Sequence, residues 1–201
     1  MKKLFYAILT LTLGLVLSSG SCSTDAIDPD GVMIDGIVWA KYNVGAPGTF
    51  AATPESAGMY YQWNHKIGWA GSGSITGWDN TPLTGPTWVA ANDPCPTDWR
   101  VPSKAEFDKL IAFAQPWDET KKGRYFGSGA NSIFLPAAGG LYSVSNTLDS
   151  FGSTGSYWTN EMLHGSLGRR MYFTSSYIPA ADDESGAGNS WGFSVRCVKK
   201  P

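Results

Sequence analysis

Apolar residues recur with period two along several short stretches of this chain, and with the helical period along only one. Residues 32–34 and 37–40 are apolar segments flanking Asp35-Gly36, a pair suited to the two positive-φ positions of a type I′ turn, so they predict a β-hairpin. Residues 58–63, 132–135, 156–159, 170–174 and 191–198 read as further short strands. In the last of these, Trp191, Phe193, Val195 and Cys197 share one face, which would carry Cys197 into the core. The helical signal begins at Ser103, which forms an S-x-x-E capping box with Glu106. Phe107, Leu110, Ile111 and Ala114 follow at i, i+3, i+4 and i+7, predicting a helix with one buried face that runs until Pro116. Turn-forming stretches such as GSGANS, AAGG and ADDESGAGNS separate the strands. The pattern implies an α+β domain with one early helix, many short strands and long loops.

The first residues follow a different rule. Lys2 and Lys3 precede an apolar stretch over residues 4–17, and Ser18, Ser19, Gly20 and Ser21 lead to Cys22. This is the layout of an export signal, too short to span a bilayer permanently. A cysteine after small residues resembles the lipobox of bacterial lipoproteins, with Ser19 where an aliphatic residue is usual. The expectation is therefore a signal peptide over residues 1–21, lipidation of Cys22, and a polar tether over residues 22–31 ahead of a domain at 32–201. The simpler alternative is a secretory peptide cut near Gly20 or Ser21. Acyl chains on Cys22 would hold the protein to a membrane without a spanning helix. Its place would be the cell envelope, as an outer-membrane lipoprotein facing the periplasm or the surface.

Lipidation would use one of three cysteines, leaving Cys95 and Cys197 as a pair in an oxidising compartment. A bridge between them would close a loop of about 100 residues and constrain the unfolded chain by roughly 4–5 kcal/mol. Two buried free thiols are the other reading.

Composition narrows the function. Lys and Arg number 15 against 17 Asp and Glu, and no basic run exists, which argues against nucleic acid as a partner. Charged residues are only 16% while aromatics reach 13% and glycines number 24, so the core is aromatic and the surface rich in loops. From 65 to 92 the chain is Gly/Ser/Thr/Pro-rich and carries Trp69, Trp78 and Trp88. Displayed on that loop, these indoles would offer flat apolar faces to sugar rings and are the candidate ligand-binding residues. Folded inward, they would be core. Trp39, Trp63, Trp99, Trp158 and Trp191 fall in strands or turns and are assigned to the core.

VWAKYNVGAP, GMYYQWN, NDPCPTDWRVPSKAEFDKL, FLPAAGG, GSYWTN and WGFSVRCV follow one another in order. The series resembles the Fibrobacter succinogenes major paralogous domain family of exported bacterial proteins, many of them lipoproteins, over residues 32–198. More remotely, RVPSKAEFDKL and GFSVRC resemble the helix start and last strand of formylglycine-generating domains. That resemblance implies a single C-type-lectin-like domain; a fold does not by itself supply a function.

The lectin-like fold also raises calcium. Asp182, Asp183, Glu184 and Asn189 offer oxygens within one Gly-rich segment, as a hard cation needs. The Glu-Pro-Asn and Trp-Asn-Asp sugar motifs of calcium-dependent lectins are absent, and a solvated acidic loop accounts for the same residues. Catalytic signals are few: the thiol pair of the cysteine-oxidising relatives is missing, and His65 and His164 lie in no nucleophile or zinc motif. The expected function is a non-catalytic surface module that binds a glycan or another cell-surface ligand. The alternative is an assembly component of a surface complex such as a pilus, and an enzyme of unknown type ranks behind both.

Overall fold

A computed structural model describes residues 28–180 and 183–201. The expected signal peptide, Cys22 and most of the tether lie outside the described residues. In chain order the strands are β1 (Gly31–Ile34), β2 (Ile37–Asn43), β3 (Tyr60–Gln62), β4 (Gly68–Trp69) and β5 (Trp99–Arg100). The helix α1 (Lys104–Ile111) follows, then β6 (Ala114–Asp118), β7 (Gly123–Ser128), β8 (Asn131–Pro136), β9 (Gly140–Tyr142) and β10 (Thr147–Asp149). The chain continues with β11 (Thr154–His164), β12 (Leu167–Thr174), β13 (Gly186–Ala187), β14 (Trp191–Phe193) and β15 (Arg196–Lys199). Among the described residues this is an α+β fold with one α-helix and short antiparallel strands in several sheets. No described helix is long and apolar enough to cross a membrane.

The sheets run β1-β2-β15-β5, β10-β9-β14-β3-β4, β11-β12-β13 and β6-β7-β8. The β1–β2 hairpin turns on Asp35 and Gly36 at φ 47° and 76°, the two positive values a type I′ turn needs. Residues 191–198, expected as one strand, divide between two sheets: β14 pairs with β3 and β9, and β15 with β2 and β5. The period-two face survives the break, since Phe193, Val195 and Cys197 are all buried.

Helix α1 starts where the capping box places it. Ser103 Oγ accepts from the Glu106 backbone N–H, and Glu106 accepts from the Ser103 N–H at 2.8 Å. Arg100 forks onto the same carboxylate at 2.6 and 2.8 Å. The end differs from expectation: the helix stops at Ile111, and Ala114 opens the edge strand β6. Gly127 N–H bonds Phe113 O, and Ala114 pairs with Phe126, so sheet partners capture the backbone before Pro116 is reached. Pro116, with no N–H to give a ladder, sits at the register shift of that edge strand.

Two large apolar clusters make up most of the core. One gathers Trp63, Trp88, Trp99 and Trp158 with Phe193 and Val195; the other packs Phe107 and Leu110 of α1 against Trp39, Phe126, Tyr157 and Phe173. Cys95 and Cys197 form a disulfide with their Cα atoms 6.1 Å apart. Arg196 is fully buried, its guanidinium donating to Asn43 Oδ1 (2.9 Å) and to the carbonyls of Ala40, Lys41 and Phe134 (3.0, 2.6 and 2.9 Å).

Burial makes this core sensitive to alkali. It pushes the Tyr60 phenol up to about 12, and those of Tyr61 and Tyr157 higher still. Above pH 10 the unfolded chain releases these protons while the folded chain keeps them, so stability falls as pH rises. Arg196, which burial pulls down to about 10, acts oppositely: folded, it gives up a proton that the unfolded chain retains. Burial lowers the pKa of Arg124 and Arg170 in the same direction but less far, so just above pH 10 the three phenols face the one guanidinium of Arg196. Urea melts at pH 8, 10 and 11 should show stability falling above pH 10, at roughly 1.4 kcal/mol per pH unit for each net proton. A flat profile would mean that these phenols meet water.

Candidate functional site

The described residues form a cleft of about 500 Å³ where β9, β12, β13 and β14 approach one another. Its floor is glycine backbone. Two buried tyrosines set that floor: Tyr60 and Tyr157 donate to the carbonyls of Ala138 and Pro136, each at 2.7 Å. They hold the FLPAAGG segment so that Gly139 and Gly140 face the cleft. A Cβ at Gly140 would lie 2.4 Å from the Phe193 ring, and Gly139, at φ 64°, would place one 2.2 Å from Asp149 O. Close packing therefore requires glycine at both.

One wall is β12. Alternation along it sends Met171 and Phe173 into the helix-side core and leaves Arg170 and Tyr172 toward the cleft. The Arg170 guanidinium lies over Phe193 and Tyr172, 4.9 and 5.1 Å from the ring centroids. Its Nε donates to Ser185 Oγ at 3.2 Å and its Nη1 to Ser156 Oγ at 3.3 Å. Burial lowers its pKa, while Tyr172 and Asp183 oppose that shift.

The facing wall is Trp191, half-buried, stacked on Phe193 at 5.7 Å and packed on Tyr142 at 4.7 Å. Asp149 and Ser150 form the rim, with Ser150 Oγ donating to Asp149 Oδ1 at 2.6 Å. Both are exposed and adjacent in sequence, as expected of a turn contact. The arrangement offers aromatic faces, a cation and several hydroxyls to one bound ring.

The expected display of tryptophans on the 65–92 loop is corrected. Trp69 and Trp88 are 6% and 8% exposed, and Trp78 is half-buried. Trp69 donates to Thr76 O at 2.9 Å and packs 4.5 Å from Trp78; Trp88 packs on Trp63. Trp78 donates to Asn189 O at 2.8 Å, and its ring backs onto Gly192, behind the cleft strand. Buried Gln62 holds the loop down, donating to the carbonyls of Asp79 and Asn189 and accepting from Asp79 N–H.

Asp182 of the expected calcium loop lies outside the described residues. The others engage separate partners: Asp183 accepts from the Tyr177 hydroxyl, Glu184 lies 3.4 Å from Arg169, and Asn189 Nδ2 donates to Thr81 O. Among the described residues no group of three or more His, Cys, Asp or Glu side chains is placed to hold a metal ion. His65 faces Asp79 at 3.6 Å and His164 is exposed at a hairpin end; neither lines the cleft.

Sequence reasoning missed Arg170 and assigned Trp191 to the core. The available signal was an arginine at a period-two position of a strand whose alternate residues, Met171 and Phe173, are apolar. A second cavity of about 230 Å³ is lined by Trp88, Asn160, Asp93 and Arg100. There Trp88 Nε1 and Asn160 Oδ1 lack a protein partner, and burial raises the pKa of Asp93.

The chain matches no protein-family model, no curated protein and no solved structure.

Proposed function

We propose that this protein is a non-catalytic binding module that takes a sugar ring into the Arg170–Trp191 cleft. What supports the reading is one conjunction: a glycine-floored cleft bounded by the aromatic residues Trp191 and Tyr172, with a guanidinium and hydroxyls beside them. Aromatic faces suit the C–H faces of sugar rings, and the polar groups suit their hydroxyls. We read the domain as C-type-lectin-like and akin to the Fibrobacter succinogenes paralogous family, on the one α-helix among the described residues, the late strand beside an early hairpin, and the Cys95–Cys197 bridge. We place it in the cell envelope on a lipid at Cys22, in keeping with that disulfide.

The test is a glycan array followed by calorimetric titration of the purified protein. Trp191→Ala should weaken binding tenfold or more. Its cost in stability should stay below the roughly 3–5 kcal/mol of a fully buried tryptophan. Unchanged affinity would move the site elsewhere.

A second reading, an assembly component of a surface complex such as a pilus, draws on Val144 and Phe151. They are 75% and 63% exposed, Val144 at the tip of the β9–β10 hairpin and Phe151 next to the rim residue Ser150. Exposed apolar surface of this kind suits a protein partner. Co-purification with envelope subunits, lost on Phe151→Ser and indifferent to Trp191→Ala, would favour it over the glycan reading.

A further inference from the structure

The arginines of this protein differ in what their donors meet. Arg100 forks onto Glu106, and Arg169 lies against Glu184. Arg196 and Arg124 are enclosed by acceptors, Arg124 donating to the carbonyls of Thr174, Gln115 and Ser175. Arg169 also leaves Nε and Nη1 without a partner, but both atoms are buried; Arg170 is the one of these five that lines the cleft. Its hydrogen-bond partners are two serine hydroxyls, both at long range, and among the described residues it forms no ion pair. Among the described residues its Nη2 meets no acceptor, and neither does the second Nη1 hydrogen. Those are the adjacent hydrogens with which a guanidinium grips a carboxylate in a fork.

The surroundings fix how that fork is presented. Phe193 and Tyr172 lie close to the guanidinium, and Ser156 and Ser185 orient its other edge, so the group is held before any ligand arrives. Among the residues lining the cleft, Arg170 is the only cation. Asp149, on the rim, is suited to accept hydroxyl donors and to repel a densely charged polyanion.

We infer that the cleft selects a sugar bearing a carboxylate, of the uronic or sialic acid type, with that carboxylate on Arg170 and ring hydroxyls toward Asp149. The inference rests on the glycan reading of the same cleft and narrows it to a chemical class.

The experiment pairs acids with their neutral isosteres. The intact protein is titrated by calorimetry with uronic acid oligosaccharides, with sialyl oligosaccharides, and with the methyl esters of both. One acid series should bind roughly ten- to a hundredfold more tightly than its ester, the worth of a charge-assisted pair over a neutral hydrogen bond. Arg170→Gln should reduce that ratio to about one, whatever it does to the affinity for the ester. A thermal melt checks that the variant is folded. If it is not, Arg170→Lys keeps the charge without the fork and should lose most of the preference.

The outcomes separate the two claims. Acid and ester binding equally well would overturn the carboxylate assignment and leave the glycan reading in place. An acid preference that survives both Arg170 variants would put the carboxylate elsewhere and overturn it too. No binding of either acid, either ester or any neutral glycan would remove the glycan reading and this inference together.

Discussion

Arg196→Met is expected to cost about 3–5 kcal/mol, a large part of the stability of a domain this size. The guanidinium is fully buried, and four acceptors converge on it, from Asn43, Ala40, Lys41 and Phe134. Among the described residues no carboxylate pairs with it; the charge is solvated by carbonyl dipoles. Methionine fills most of the volume but leaves those acceptors buried and unpaired, and each costs about 1–3 kcal/mol before relaxation. The damage would spread, because Asn43 also donates to the carbonyls of Ser56 and Ala57, so losing its Oδ1 partner loosens a second segment. Arg196→Lys keeps a charge but not the planar fork and should recover only part of the loss. Urea denaturation followed by circular dichroism measures both variants. A loss below about 1 kcal/mol for the methionine variant would mean that water replaces the guanidinium at this site.

Removing the Cys95–Cys197 bridge is the second large effect. The linked residues are 102 apart in sequence, and closing a loop of that length restricts the unfolded chain by roughly 4–5 kcal/mol. The measured cost of Cys95→Ala with Cys197→Ala should fall at about 2–5 kcal/mol, a drop of roughly 5–15 °C in Tm. Cys197 is wholly buried beside Val195 and Trp99, so its truncation adds a small packing loss. Reduction of the unmutated protein separates the terms, since it opens the loop without removing the sulfurs. Peptide mapping without reductant should recover the two cysteines in one linked fragment. Free thiols at both positions in protein isolated under non-reducing conditions would refute the bridge.

What could be read from sequence was local. Asp35-Gly36 and the Ser103–Glu106 box specify their structures within four residues, and both formed as expected. The helix end was less legible, because a sheet partner at Phe126 competes for the backbone and only the fold brings it near. The 65–92 loop defeated the reading for the same reason. Trp78 is drawn inward by a carbonyl 111 residues away, and Gln62 ties the loop to Asn189 across 127. Glycine-rich composition gave no indication of either contact. The cleft was the least visible of all, assembled from Gly140, Arg170 and Trp191 on separate strands. Each residue looked ordinary in its own segment: a turn glycine, a strand arginine, a core tryptophan.

The position of β15 within its sheet bears on how the protein can be made. It lies between β2 and β5, so the strand synthesised late is an interior one. Asn43, Ala40 and Lys41 emerge first and wait for Arg196, 153 residues later in the case of Asn43. At roughly 5–20 residues per second, that is about 8–30 seconds during which the early hairpin has no neighbour on its inner edge. No N-terminal portion can close the sheet alone, and the chain stays open until its final stretch arrives. Such a chain completes its fold only once its late strands are made, which is also when Cys197 becomes available to pair with Cys95. A chain stopped just short of β15 would lose the middle of a sheet and would be a substrate for proteases rather than a slightly shortened version of the same fold.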